Sequence, residues 1–139
     1  MRIYVDASAL IKRSIRDAES AALSEALDRY VGEGSALVAS TLAWVEVSRA
    51  IRSRPDAAGR DDGATREAID VALSGVAGRP ITGDVISLAR HIGPTVLRSL
   101  DALHLATALL LGVDLIVTYD DRLISACRYN GFAVATPGR

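Results

Sequence analysis

The chain has 139 residues, 50% hydrophobic and 24% charged, with a formal net charge of −1. That length and balance fit one domain, 1–139, with a sizeable core, and exclude both a second large domain and a mostly disordered chain. The near-zero charge excludes a polybasic nucleic-acid arm and leaves room for a local basic patch.

The elements follow in chain order. Arg2–Val5, "RIYV", is β-branched and aromatic and reads as a short buried strand. "SALIKR" reads as a short helix. From Asp17 to Val31, apolar residues recur at helical spacing, and Gly32 and Gly34 act as stop signals. "ALVAS" is a second buried strand. "TLAWVEVSRAIRS" is a helix capped by Ser40 or Thr41. Residues 54–63, "RPDAAGRDDG", are polar and punctuated by Pro and Gly, as in a loop. "TREAIDVALSGV" resumes a helix, "RPIT" is a short strand and "GDVISLARHI" another helix. "LRSLDALHLATALLLG" is a strongly apolar helix opened by Ser99 and closed by Gly112. "DLIVTYD" is the most strand-like run. "DRLISACRYNG" is a helix, and "FAVAT" a last strand. Strands alternating with helices imply parallel pairing with right-handed crossovers, hence an α/β sandwich. The strands are apolar throughout, as strands covered on both faces are.

The single cysteine, Cys127, excludes an intramolecular disulfide and a multi-cysteine zinc site, and suits a reducing compartment. The first strand follows Met1 without a basic-then-apolar leader. The longest uncharged apolar run, Ala102 to Val113, is well short of the roughly 20 residues that span a bilayer. A cytoplasmic protein with no membrane association is expected.

In such sheets ligands bind beyond the carboxyl ends of the strands. Asp6 ends the first strand and Asp120 ends "LIVTY". Glu46 lies among Trp44, Val45 and Val47. Asp101 opens the most apolar helix, on a face continued by Leu105, Ala108 and Leu109. Each acid has a simpler reading. Asp6 and the Asp120–Asp121 pair suit helix caps, Glu46 suits an ion pair with Arg49, and Asp101 suits the helix dipole. Those readings explain the acids one at a time, not as a set. Gathered carboxylates repel unless a cation compensates. Hard oxygen donors without a cysteine or histidine motif point to Mg²⁺ or Mn²⁺ rather than zinc. His104, one turn after Asp101, reads as a core residue or a support to a ligand rather than a ligand itself.

Four motifs, "YVDASALIK", "VEVSRA", "LDALHLATAL" and "VTYDDRLISAC", occur in order. With them the chain resembles a PIN-domain protein, specifically a toxin of the VapC type. The resemblance runs from Met1 to the last strand, and "DALHLATA" is its most specific part. It implies a three-layer sandwich with a central parallel sheet of four to five strands. It implies a metal-dependent endoribonuclease neutralised by a cognate antitoxin and paired as a homodimer. Asp6, Glu46, Asp101 and Asp120 fall on the family's acidic quartet. Ser8 and Thr118 fall on its supporting polar positions, with Asp121 as a cap or more distant support. Ser8 is expected to cap the first helix, which leaves Asp6 for the metal.

Phosphodiester cleavage needs an activated water and neutralised phosphoryl oxygens, and a divalent cation supplies both. In-line attack leaving a 3′-hydroxyl and a 5′-phosphate is expected, because this route does not use the ribose 2′-hydroxyl. Lys12, Arg13 and Arg16 after the first motif, with Arg49 and Arg52 on the Glu46 helix, are the expected RNA-backbone contacts. Trp44 and Tyr119 suit base stacking or core packing. Two rival readings remain. A phosphoryl-transfer domain lacks its second aspartate, where Ser8 stands, and its late lysine, because Lys12 is the only lysine. A catalytically inactive RNA-binding module would have no need of the whole quartet.

Overall fold

In this computed structural model, which describes residues 1–57 and 62–139, "RIYV" forms strand β1 (Arg2–Val5). Its side chains alternate between faces. Ile3 and Val5 enter one core and Tyr4 the other. Strands β2 (Ala36–Ser40), β3 (Val76–Arg79), β4 (Leu115–Val117) and β5 (Val134–Ala135) complete a five-stranded sheet, ordered β3-β2-β1-β4-β5. Every pairing is parallel: Tyr4 stands opposite Val38 on one side and Ile116 on the other.

Helices cover both faces. On one, α1 (Ala7–Ile11), α2 (Ser20–Gly32), α3 (Leu42–Arg52) and α4 (Asp62–Leu73) bury Leu10, Leu23, Leu27, Val47, Ile51 and Ile69 against Ile3, Val5 and Leu37. On the other, α6 (Ser99–Leu111) and α7 (Asp121–Tyr129) bury Leu105, Ala108, Leu123 and Cys127 against Tyr4, Val38 and Ile116. Helix α5 (Gly83–Ala89) packs along α6. This is the α/β three-layer sandwich expected. No described helix is long and apolar enough to cross a membrane.

Several boundaries move. Helix α2 begins at Ser20 rather than Asp17, because Asp17 closes a turn: its carboxylate accepts from the Glu19 N–H at 2.9 Å. Helix α3 takes its cap from Ser40, whose hydroxyl accepts from the Leu42 N–H, while Thr41 makes no side-chain cap. The loop expected over 54–63 holds a 3₁₀ turn at Pro55–Ala57, residues 58–61 lie outside the described residues, and α4 already starts at Asp62. The third strand is Val76–Arg79, not "RPIT", so only Arg79 is shared. It pairs in register from Leu37–Val76 to Ser40–Arg79, and the Arg79 carbonyl accepts from the Thr41 N–H. Gly78 lies beneath Trp44, where a Cβ would come within 3.1 Å of the indole. Close packing there excludes the β-branched residues that signal a strand. Helix α6 ends as expected at Gly112, whose φ of 60° is left-handed.

Candidate active site

Strand order reverses at β1: β2 lies on one side and β4 on the other. The crevice beyond the carboxyl ends of β1 and β4 is thus the binding position of an open parallel sheet. Asp6 leaves β1 here and is 4% exposed. The Thr118 hydroxyl donates to its Oδ2 at 2.7 Å, the Ser8 hydroxyl to Oδ1 at 2.7 Å, and the Ala9 N–H to Oδ1 at 3.2 Å. Each hydroxyl also accepts a backbone N–H from the segment after β4: Ser8 from Tyr119 at 2.9 Å and Thr118 from Asp120 at 3.1 Å. Ser8 and Thr118 therefore tie Asp6 to the β4–α7 turn. Asp6, not Ser8, is the N-cap of α1. Ser8 lies inside the helix, where its hydroxyl is committed to Asp6 and Tyr119, so the cap expected of Ser8 falls to Asp6 instead. A carboxylate has enough lone pairs to cap a helix and still face the crevice.

Asp120 also serves as a cap. Its Oδ1 accepts from the Arg122 and Leu123 N–H groups at 2.9 and 3.2 Å. Asp121 is the first residue of α7, with its side chain turned to solvent and paired with Arg139 at 3.0 Å. It neither caps nor supports the crevice.

Glu46 and Asp101 arrive from opposite helical layers. Glu46 pairs with His104 rather than Arg49: its Oε1 accepts from Nε2 at 2.5 Å. The other ring nitrogen, Nδ1, bonds the Tyr4 hydroxyl at 2.6 Å, and that hydroxyl accepts from the Ser40 N–H at 3.0 Å. Tyr4 and His104 are both buried: His104 is the core residue and support that its position suggested, whereas Tyr4 was not among the expected site residues. The Asp101–His104 spacing of one turn on an apolar helix was the available signal for His104. Nothing local marks Tyr4.

The acids share one electrostatic field. Burial raises the Asp6 pKa, against the lowering effect of Ser8, Thr118, the His104 charge and the Ala9 N–H. The Asp101 pKa is raised by burial and then by the charge of Asp120, with Glu46 adding and His104 and Arg122 opposing. Burial resists protonation of His104, but the hydrogen bond and charge of Glu46, with the charges of Asp6 and Asp101, outweigh it and raise its pKa. Burial pushes the Cys127 thiol up to about 12, so it is inert as a nucleophile.

These oxygen donors fit a hard divalent cation in kind. Asp101 is half-buried and has no hydrogen-bond partner among the described residues, which leaves its carboxylate available. As the side chains stand, no three of the described Asp, Glu, His and Cys residues are gathered tightly enough to hold an ion. Drawing the carboxylates together requires a cation to offset their repulsion.

The expected RNA contacts divide. Arg13 is half-buried and donates to the Ala72 and Ser74 carbonyls at 2.9 and 2.7 Å, which fastens the turn after α1 to the end of α4. Lys12 pairs with Asp17 and Glu19 and lies 4.6 Å from the centroid of Tyr119. Arg16, Arg49 and Arg52 are exposed. Tyr119 is buried and donates to the Pro137 carbonyl, and Trp44 is partly buried against the core, so both rings contribute to packing.

A PIN domain model matches residues 3–129. The chain belongs to the PIN-domain family. Its relatives include Ribonuclease VapC47 of Mycobacterium tuberculosis (strain CDC 1551 / Oshkosh), 42% identical over 138 residues covering 98% of this chain and 97% of that one. Ribonuclease VapC46 of Mycobacterium tuberculosis (strain ATCC 25618 / H37Rv) is 40% identical over 137 residues, 97% of each chain. Among solved structures, VapBC2 from Rickettsia felis, bound to a DNA fragment from its promoter, superposes with a TM-score of 0.73. It does so at 10% identity, over 97% of this chain and 98% of that one.

Proposed function

We propose that this protein is a single-domain, metal-dependent endoribonuclease toxin, held in check by a cognate antitoxin. What carries the reading is that Asp6 and Asp120 stand at the ends of adjacent strands, while the charges of Asp120 and Glu46 act on Asp101. The ribonuclease names of relatives at 42% and 40% identity support the activity. The toxin–antitoxin complex of similar fold supports the antitoxin partner.

Asp6, Glu46, Asp101 and Asp120 would hold Mg²⁺ or Mn²⁺, which supplies charge neutralisation at the phosphoryl oxygens and an acidified water. Asp101, half-buried and without a hydrogen-bond partner among the described residues, would orient and deprotonate the attacking water. Asp6 stays fixed by Ser8 and Thr118. Arg49 and Arg52, exposed on the helix that carries Glu46, align the RNA backbone. Attack in line leaves a 3′-hydroxyl and a 5′-phosphate.

RNA offered with Mg²⁺ or Mn²⁺ is expected to be cut by the wild type and spared by Asp6→Asn and Asp101→Asn. Cleavage that persists in both variants would overturn the site. Sequencing RNA 5′ ends after induction in the cytoplasm, with Asp6→Asn as control, identifies the substrate. The chain is further proposed to be a homodimer, and light scattering that shows a stable monomer at high concentration would refute that.

A further inference from the structure

We infer that Tyr4 and His104 form a positioning strut that holds Glu46 against the crevice and ties the sheet to both helical layers. The inference rests on the reading of Glu46 as one of the cation-holding acids.

The direction of the hydrogen bonds follows from one fixed donor. The Ser40 backbone N–H donates to the Tyr4 hydroxyl oxygen at 3.0 Å, so the hydroxyl proton is free to point at His104 Nδ1, 2.6 Å away. A neutral ring that accepts at Nδ1 carries its hydrogen on Nε2, aimed at Glu46 Oε1 at 2.5 Å. A protonated ring donates from both nitrogens, and Nε2 still donates to Glu46. In either state, Glu46 receives the same bond.

The ring has little freedom to deliver it elsewhere. Tyr4 is 1% and His104 3% exposed, and their rings meet edge to face at 78°. Glu46, by contrast, is only partly buried on the rim of α3, and a glutamate there loses considerable rotamer entropy when fixed. The bond to Oε1 holds the carboxylate and leaves Oε2 for the site. Because His104 lies three residues after Asp101, on neighbouring positions of α6, the same ring sets Glu46 in register with Asp101. Supports of this kind typically change metal affinity by about 10–100-fold when removed.

Calorimetric titration with Mn²⁺, without RNA, tests the strut. His104→Gln keeps an N–H near the place of Nε2 and is expected to stay within about threefold of wild type. His104→Asn reaches only the place of Nδ1 and is expected to weaken Mn²⁺ binding about tenfold or more. Tyr4→Phe should fall between them. In a Glu46→Gln background, His104→Asn should cause no further loss, an outcome that a merely unstable variant would not reproduce. Equal affinities for His104→Asn and wild type would overturn the inference. So would equal losses in the Gln and Asn variants, a full additional loss in the Glu46→Gln background, or a wild type that binds no Mn²⁺. A wild type that shows the expected Mn²⁺ pattern yet cuts no RNA would support the strut and overturn the nuclease reading.

Discussion

Replacing Asp101 by asparagine is expected to stabilise the protein when divalent ions are removed and to destabilise it relative to wild type when they are added. Asp101 is half-buried, makes no hydrogen bond among the described residues, and faces the charge of Asp120. Its pKa is raised in the fold, so its stabilising contribution is complete below the ordinary aspartate range. That contribution is lost as pH rises through the folded-state value. At neutral pH the ionised carboxylate therefore opposes folding. Asparagine keeps the shape and removes the charge. Solvent screens a half-exposed group, so the gain is about 0.5–1 kcal/mol, on the scale of partly exposed charge pairs. For a domain of this size that raises Tm by about 2–4 °C. Mn²⁺ at ten times its Kd stabilises wild type by about 1.4 kcal/mol and does little for a variant that cannot bind it, so the order reverses. Calorimetric melts in EDTA at pH 7.5 and near pH 4, then with Mn²⁺, follow both signs. The advantage of the variant in EDTA should shrink toward acid pH, where the aspartate is neutral in both states. A variant that melts below wild type in EDTA, or one that gains as much from Mn²⁺, would refute the reasoning.

Ser8→Ala and Thr118→Val each remove a donor to Asp6 and strand a backbone N–H, of Tyr119 or Asp120. Each should destabilise by about 1–2 kcal/mol in urea unfolding. The double variant should lose less than the sum, because both act on one carboxylate; unchanged midpoints would contradict this. Arg13→Ala should lower stability by about 1–2 kcal/mol and leave RNA affinity intact, because its guanidinium is committed to the Ala72 and Ser74 carbonyls. Changing Arg49 and Arg52 together to Ala should leave the melt unchanged and reduce the salt slope of RNA binding by about 1.4. Fluorescence anisotropy in an Asp6→Asn background measures this, and the opposite pattern would overturn the assignment of cations.

The sequence by itself determined the architecture and pointed to the strand ends where the candidate site is proposed. Runs such as "RIYV" and "ALVAS" are too apolar and β-branched for any place but a buried parallel strand, and such a sheet gathers chemistry at its carboxyl ends. Asp6 and Asp120 were legible there because a strand end is a local property. Tertiary structure decided the rest. Strand β3 escaped notice because Ala77 and Gly78 carry no strand preference of their own; pairing to β2 and the contact with Trp44 impose one. Arg13 looks like a phosphate contact until the end of α4 claims it. The strut needs Tyr4, Glu46 and His104 to meet across separations of 58 and 100 residues, which no spacing rule reaches. Local patterns record which backbone a segment prefers. Which side chain finds which partner depends on how the layers close around the sheet.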